Sequence, residues 1–150
     1  MKAVLQRVSA ASVECGGKTV SEIGKGFMVL LGVTKEDTAE AADVLAAKIA
    51  GLRVFSDENG KMNLGLVDVG GEVIVVSNFT LCADCSHGRR PSFINAQRPQ
   101  QANELYEYFI KRLKFYGVPK VGTGVFGGDM LLHIRNDGPV TIILDTDDLK

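Results

Sequence analysis

Residues 130–144 read Met130-Leu131-Leu132-His133-Ile134-Arg135-Asn136-Asp137-Gly138-Pro139-Val140-Thr141-Ile142-Ile143-Leu144. Two apolar runs, Met130 to Ile134 and Val140 to Leu144, have the composition of strands and are expected to be the last two of the fold. Between them lies Gly138-Pro139. Proline cannot donate to a sheet ladder, so it belongs at a strand's first residue, an edge or a turn. The glycine before it lets the backbone come close to another molecule. Taken alone, these residues predict a turn with Pro139 opening the final strand.

Working back along the chain, Val73-Ile74-Val75-Val76 is the most β-prone tetrapeptide and is expected to be a central strand. Gly26 to Val33 is a continuous apolar run bounded by glycines, hence a second buried strand. Residues 3–14 alternate loosely and read as one or two strands, with a return strand at Thr19 to Ile23 after the Gly16-Gly17-Lys18 turn. Two helices separate these segments. Asp37 with Glu40 predicts a capping box, followed by Ala42, Leu45, Ala46, Ile49 and Leu52 on one face. Pro99 opens the second helix, whose stripe is Ala102, Leu105, Tyr106, Phe109, Leu113 and Tyr116, stopped by Gly117 and Pro119. The expected architecture is a single α/β domain over residues 1–150, with mixed β-sheet and two main helices.

Composition narrows the function. Of the 150 residues, 45% are hydrophobic and 23% charged, the balance of an ordinary soluble domain. No apolar run approaches the ~18–20 residues that span a bilayer, so no membrane partner is expected. The start, Met1 to Arg7, breaks its hydrophobicity too early for a signal peptide. Three cysteines, an odd number, fit a reducing cytoplasm better than a disulfide framework. A formal net charge of −1 disfavours a protein that coats DNA or long duplex RNA, yet leaves room for local basic residues gripping one nucleic-acid end.

Several motifs lack the context their chemistry needs. Gly122-Thr123-Gly124-Val125-Phe126-Gly127 has dinucleotide-binding spacing, but a strand is expected after it where a helix is required. Gly17-Lys18-Thr19 ends like a phosphate-binding loop, with Ser12 standing where the first glycine must be. Cys82-Ala83-Asp84-Cys85 near His87 falls short of the four ligands of a structural zinc site, so neither a metal nor another cofactor is expected. His133, alternating with Leu131 and Arg135, suits a surface or an interface better than catalysis.

Ser77-Asn78-Phe79-Thr80-Leu81 leaves the C-terminal end of the best strand, where ligands of helix-covered sheets commonly bind. With Asn136-Asp137-Gly138-Pro139-Val140-Thr141 it makes the chain resemble the D-aminoacyl-tRNA deacylases over essentially its whole length. Met1-Lys2-Ala3-Val4-Leu5-Gln6-Arg7-Val8, Gly60-Lys61-Met62-Asn63-Leu64 and Gly88-Arg89-Arg90-Pro91-Ser92-Phe93 are similar to that family as well. The family's N-x-G-P-V-T motif is matched in full. Its S-Q-x-x-L motif is matched except at Asn78, one methylene shorter than the family's glutamine, which puts in doubt any role needing the longer reach.

The resemblance implies a homodimer of three-layered protomers that hydrolyses the ester joining a D-amino acid to the 3′ end of tRNA, a step of translation quality control. It implies catalytic positions at Ser77, Asn78, Phe79 and Thr80. Gly138-Pro139, with a cis bond, is implied to reach into the partner subunit's pocket and exclude L-amino acids, with Gly-tRNA partly escaping. Asn136, Val140 and Thr141 are implied to support that wedge, and Arg7 to add to that support as a pocket-edge contact to the substrate or to Gly138-Pro139 of the partner subunit. Arg89, Arg90 and Arg98 are candidate phosphate contacts. No acid–base pair is visible beside Thr80, so Ser77 and Thr80 are expected to shape the pocket rather than attack. Met62 and Met130 are either adenosine-pocket or core residues, and packing is the expected role. Two alternatives stay open: a sister deacylase clearing mischarged L-aminoacyl-tRNA, and a non-catalytic module binding the tRNA 3′ end.

Overall fold

A computed structural model describes residues 1–149 of the chain. Its first strand, β1 (Lys2–Cys15), is a single element of 14 residues rather than two. It runs antiparallel to β2 (Lys18–Ile23) through its second half and to β3 (Gly26–Gly32) through its first. After β3 the chain forms α1 (Ala39–Gly51), the short hairpin β4 (Phe55–Ser56) and β5 (Met62–Leu64), and then β6 (Glu72–Ser77). A 3-10 turn (Phe79–Cys82), α2 (Pro99–Phe115), β7 (Val121–Thr123) and β8 (Met130–Asp145) follow. The main sheet has the order β2-β1-β3-β6-β7, with β8 on the other side of β1.

The sheet is mixed because of its connections. β3, β6 and β7 are mutually parallel, and parallel neighbours need a crossover long enough to hold a helix. α1 lies in the first crossover and α2 in the second. Alternation along β3 and β6 sorts the core onto two faces. Phe27, Val29, Leu31, Val73 and Val75 meet Leu45, Ile49, Tyr106, Phe109 and Leu113 of the helices. On the opposite face, Met28, Ile74 and Val76 meet Val8, Val13, Met130, Leu132 and Ile134, the folded-over half of the β1–β8 ribbon. Helices, sheet and ribbon make three layers.

β8 departs most from expectation. Met130–Asp145 is one strand of 16 residues antiparallel to β1 on both sides of the Gly-Pro step, not two strands around a turn. Gln6 pairs with Thr141 and Val8 with Asn136, so Arg7 alone on β1 faces Asp137, Gly138, Pro139 and Val140. The surplus residues bulge out of the ladder while the strand continues. The cap of α1 is also shifted. Thr38 accepts from the Ala41 amide at 3.4 Å, while Asp37 accepts from the Thr34 amide at 2.6 Å and from the Met1 ammonium. Met62 is 58% exposed on the hairpin and is not a core residue.

Candidate active site

β6 ends at Ser77, and the Asn78 amide donates to the Leu31 carbonyl at 2.8 Å, tying the strand exit to the end of β3. The chain then turns back sharply over Gly32. A Cβ at Gly32 would lie 2.9 Å from Leu81 Cβ and 3.3 Å from the Asn78 carbonyl oxygen, so only glycine admits this approach. Asn78 caps the turn. Its Oδ1 accepts from the Thr80 amide at 3.3 Å and from the Thr80 hydroxyl. Asparagine is among the best N-cap residues because its short side chain suits this two-residue return.

Ser77, Asn78 and Phe79 form one wall of a pocket of about 800 Å³. Leu30, Val33, Val76, Ala102, Met130 and Leu132 add apolar surface, and Phe126, Gly127, Gly128 and Asp129 bring the loop before β8 to its edge. Arg98 and Pro99 contribute the N-terminus of α2, where Arg98 has no side-chain capping bond and its amide donates to Gln97 Oε1 at 2.9 Å. Gln97 is held in turn by its own amide to the Val33 carbonyl at 2.9 Å. Phe79, 56% exposed, and Phe93, 37% exposed, meet edge to face at 5.0 Å by the mouth. The lining is mostly apolar with few polar groups, the form of a small-molecule site. Its ionisable side chains are Arg98 and Asp129; neither histidine lines it.

The second motif stands apart. Gly138-Pro139 is cis and exposed on the β8 bulge, and neither residue lines the pocket of its own chain. Asn136 spans the bulge. Its Nδ2 donates to the Val140 carbonyl at 3.2 Å and to Thr141 Oγ1 at 3.1 Å, while its Oδ1 accepts from the Val140 amide at 2.8 Å. Arg7 holds the other flank. Its Nε donates to the Asp137 carbonyl at 2.9 Å and its Nη1 to the Val54 carbonyl at 2.6 Å. Arg7 therefore grips the wedge of its own chain. At Gly138, φ is +151°, and a Cβ would lie 2.7 Å from the Val140 nitrogen, so the position needs glycine.

Of the other candidates, Arg98 lines the pocket, whereas Arg89 and Arg90 are exposed on the loop before α2 and do not. Thr80 is exposed beside the lining residues. Met130 both lines the pocket and packs against the second core. Cys82 is buried and its thiol donates to the Val33 carbonyl at 3.5 Å; burial pushes its pKa up, away from a reactive thiolate. Cys85 is exposed. His133 lies 3.3 Å from Glu14 on the neighbouring strand. Sequence reasoning missed the contributions of Gln97 and Asp129, whose placement follows from tertiary contacts. Among the described residues, no helix is long and apolar enough to cross a membrane.

Comparison with known proteins places this arrangement. A family model described as D-Tyr-tRNA(Tyr) deacylase matches residues 4–145. A protein named D-aminoacyl-tRNA deacylase from Dehalococcoides mccartyi is 58% identical over 148 residues, covering 99% of this chain and 96% of the relative. One of the same name from Clostridioides difficile is 54% identical over 146 residues, 97% of each. A solved structure named c-Myc DNA Unwinding Element Binding Protein superposes with a TM-score of 0.91 at 44% identity, covering 97% of this chain and 98% of that one. Another, described as a probable eukaryotic D-amino acid tRNA deacylase, has a TM-score of 0.80 at 17% identity over 95% and 97% of the two chains, which shows a shared fold. On the family match and these identities, the chain belongs to the D-Tyr-tRNA(Tyr) deacylase family and is a hydrolase.

Proposed function

We propose that the chain hydrolyses the ester between a D-amino acid and the terminal adenosine of tRNA, and that it works as a homodimer in the cytoplasm. The observation that carries the reading is a division of labour. The pocket at the end of β6 contains neither Gly138 nor Pro139, while those residues stand exposed on a bulge braced by Arg7 and Asn136. A second protomer would bring its wedge to the first protomer's pocket. There the main chain of Gly138-Pro139 faces the substrate's α-carbon, and an L side chain meets fixed backbone. Such a filter judges handedness by shape, accepts many D side chains and lets Gly-tRNA through in part.

The chemistry suits a pocket of this kind. An aminoacyl ester is already activated, so positioning and main-chain hydrogen bonds contribute most of the acceleration. The first N–H of the 3-10 turn, at Phe79, is a donor for the ester oxygen as charge develops there. The attacking group is a water, oriented with help from the substrate's neighbouring 2′-hydroxyl. Arg98 at the pocket edge, with Arg89 and Arg90 on the loop, supplies positive charge for the phosphates of the tRNA acceptor end.

The name of the solved relative at 44% identity favours a second reading, DNA binding. The formal net charge of −1 speaks against extensive duplex contact. Incubation with D-Tyr-tRNA, L-Tyr-tRNA and Gly-tRNA, following loss of the ester, tests the main reading. D-Tyr-tRNA is expected to be cleared at least ~100-fold faster than L-Tyr-tRNA, a difference of about 2.7 kcal/mol in the barrier. Preferential loss of the L-ester would instead identify a sister deacylase. Loss of none, with retained binding of tRNA or of a DNA duplex, would identify a binding module.

A further inference from the structure

Two aromatic rings from separate segments stand at the mouth of the pocket. Phe79 comes from the 3-10 turn after β6 and Phe93 from the loop before α2, and both line the opening. Their planes lie 76° apart, edge to face, which covers one face of one ring and leaves the other faces free. Main-chain bonds fix Phe93 from both sides. The Asp84 amide donates to the Ser92 carbonyl at 2.8 Å and the Ser92 amide to the Asp84 carbonyl at 2.9 Å, while the Ala96 amide donates to the Phe93 carbonyl at 3.0 Å. The excursion closed by Asp84 and Ser92 carries Arg89 and Arg90, which are exposed and form no ion pair among the described residues. One rim therefore offers flat apolar faces beside unneutralised positive charge, the pairing that holds the bases and phosphates of a single strand.

We propose that the Phe79–Phe93 corner is the stacking site for the nucleotide that precedes the terminal adenosine. The inference rests on the deacylase reading: an ester seated inside the pocket leaves the next nucleotide of the 3′ end at the mouth, where these rings stand. The corner is continuous with the pocket, and Arg89 and Arg90 share a loop with Phe93, so one rim takes up both base and phosphate. Stacking uses the face that every base has, so the site tolerates a change of base at that position. Its consequence is selectivity for an esterified nucleotide chain over a lone aminoacyl adenosine.

The test compares intact D-Tyr-tRNA with D-Tyr-tRNA in which an abasic ribose replaces the cytidine before the terminal adenosine. The wild-type protein is expected to show a KM about tenfold lower for the intact substrate, with kcat nearly equal, because stacking holds ground and transition states alike. Uracil in place of that cytosine should serve as well. Phe93→Ala and Phe93→Leu should each bring the two KM values within about twofold, the leucine keeping apolar bulk without a stacking face. Phe93→Trp, which keeps a flat ring, should preserve the gap. Equal KM values in the wild type, or a tenfold gap that survives in Phe93→Ala and Phe93→Leu, would overturn the inference and leave the deacylase reading in place. A wild type inactive on intact D-Tyr-tRNA would overturn both.

Discussion

Tyr106 joins helix to sheet through one atom. Its hydroxyl donates to the Val75 carbonyl at 2.6 Å, and burial pushes its pKa up to about 12, so it is neutral throughout the physiological range. The Gly124 amide also reaches the Val75 carbonyl, at 3.4 Å, so Tyr106→Phe does not leave that oxygen bare. The expected cost is about 1 kcal/mol in urea unfolding, the typical net value of one hydrogen bond. Asp43 is the pH-sensitive partner on α1. Hydrogen bonds from Arg112 and Tyr116 hold its carboxyl below the usual range. A folded pKa that is depressed gives stability present above the unfolded value near 3.8 and lost as pH falls through the folded one. Asp43→Asn should therefore lower the melting temperature at pH 7, and the gap to wild type should close as the solution is taken below pH 3.8. A gap that persists in acid would show that the charge is not what matters there.

At the scale of elements, the strands and helices were legible because each has one dominant period. Val73 to Val76 and Gly26 to Gly32 are buried on both faces, and α2 starts at Pro99 and stops before Gly117 as its residues suggest. β8 was not legible as one strand. A Gly-Pro step is written alike in a reverse turn and in a bulge, and only the register on β1, where Arg7 faces four residues, separates the two. The α1 cap was misplaced for a similar reason. Asp37 and Thr38 are both good caps, and the Met1 ammonium, distant in sequence, claims Asp37. The bulge also yields a prediction. Gly138→Ala places a methyl 2.8 Å from Val140 Cγ2 at a φ of +151°, so the wedge must shift. The D-to-L preference should fall at least ~10-fold, about 1.4 kcal/mol, in paired assays on D-Tyr-tRNA and L-Tyr-tRNA. An unaltered preference would mean that the bulge does not read chirality.

For the whole molecule, the candidates offered by the sequence fall into two places. Ser77 to Phe79 and Arg98 line one pocket, and Thr80 stands exposed beside it. In the wall from Phe126 to Met130, Phe126 and Gly127 were visible only inside a failed dinucleotide fingerprint and Met130 only as a pocket-or-core alternative, because the wall's job depends on folding back beside β6. The separation of Gly138-Pro139 from its own chain's pocket was implied by the family resemblance alone, since no pattern in the residues carries it. It makes the proposed dimer the scale on which the site is complete. Size-exclusion chromatography with light scattering should give twice the 16.1 kDa of the chain.

The most direct test uses a heterodimer with a single working pocket. One protomer carries Gly138→Ala; the other carries Ser77→Tyr, which fills its own pocket but leaves its wedge intact. The pair is co-expressed with two different tags and purified through both. The surviving pocket, on the Gly138→Ala protomer, should show the wild-type preference for D-Tyr-tRNA, because its partner supplies a sound wedge. If it shows the reduced preference of the Gly138→Ala homodimer, the wedge acts within its own chain and the account fails.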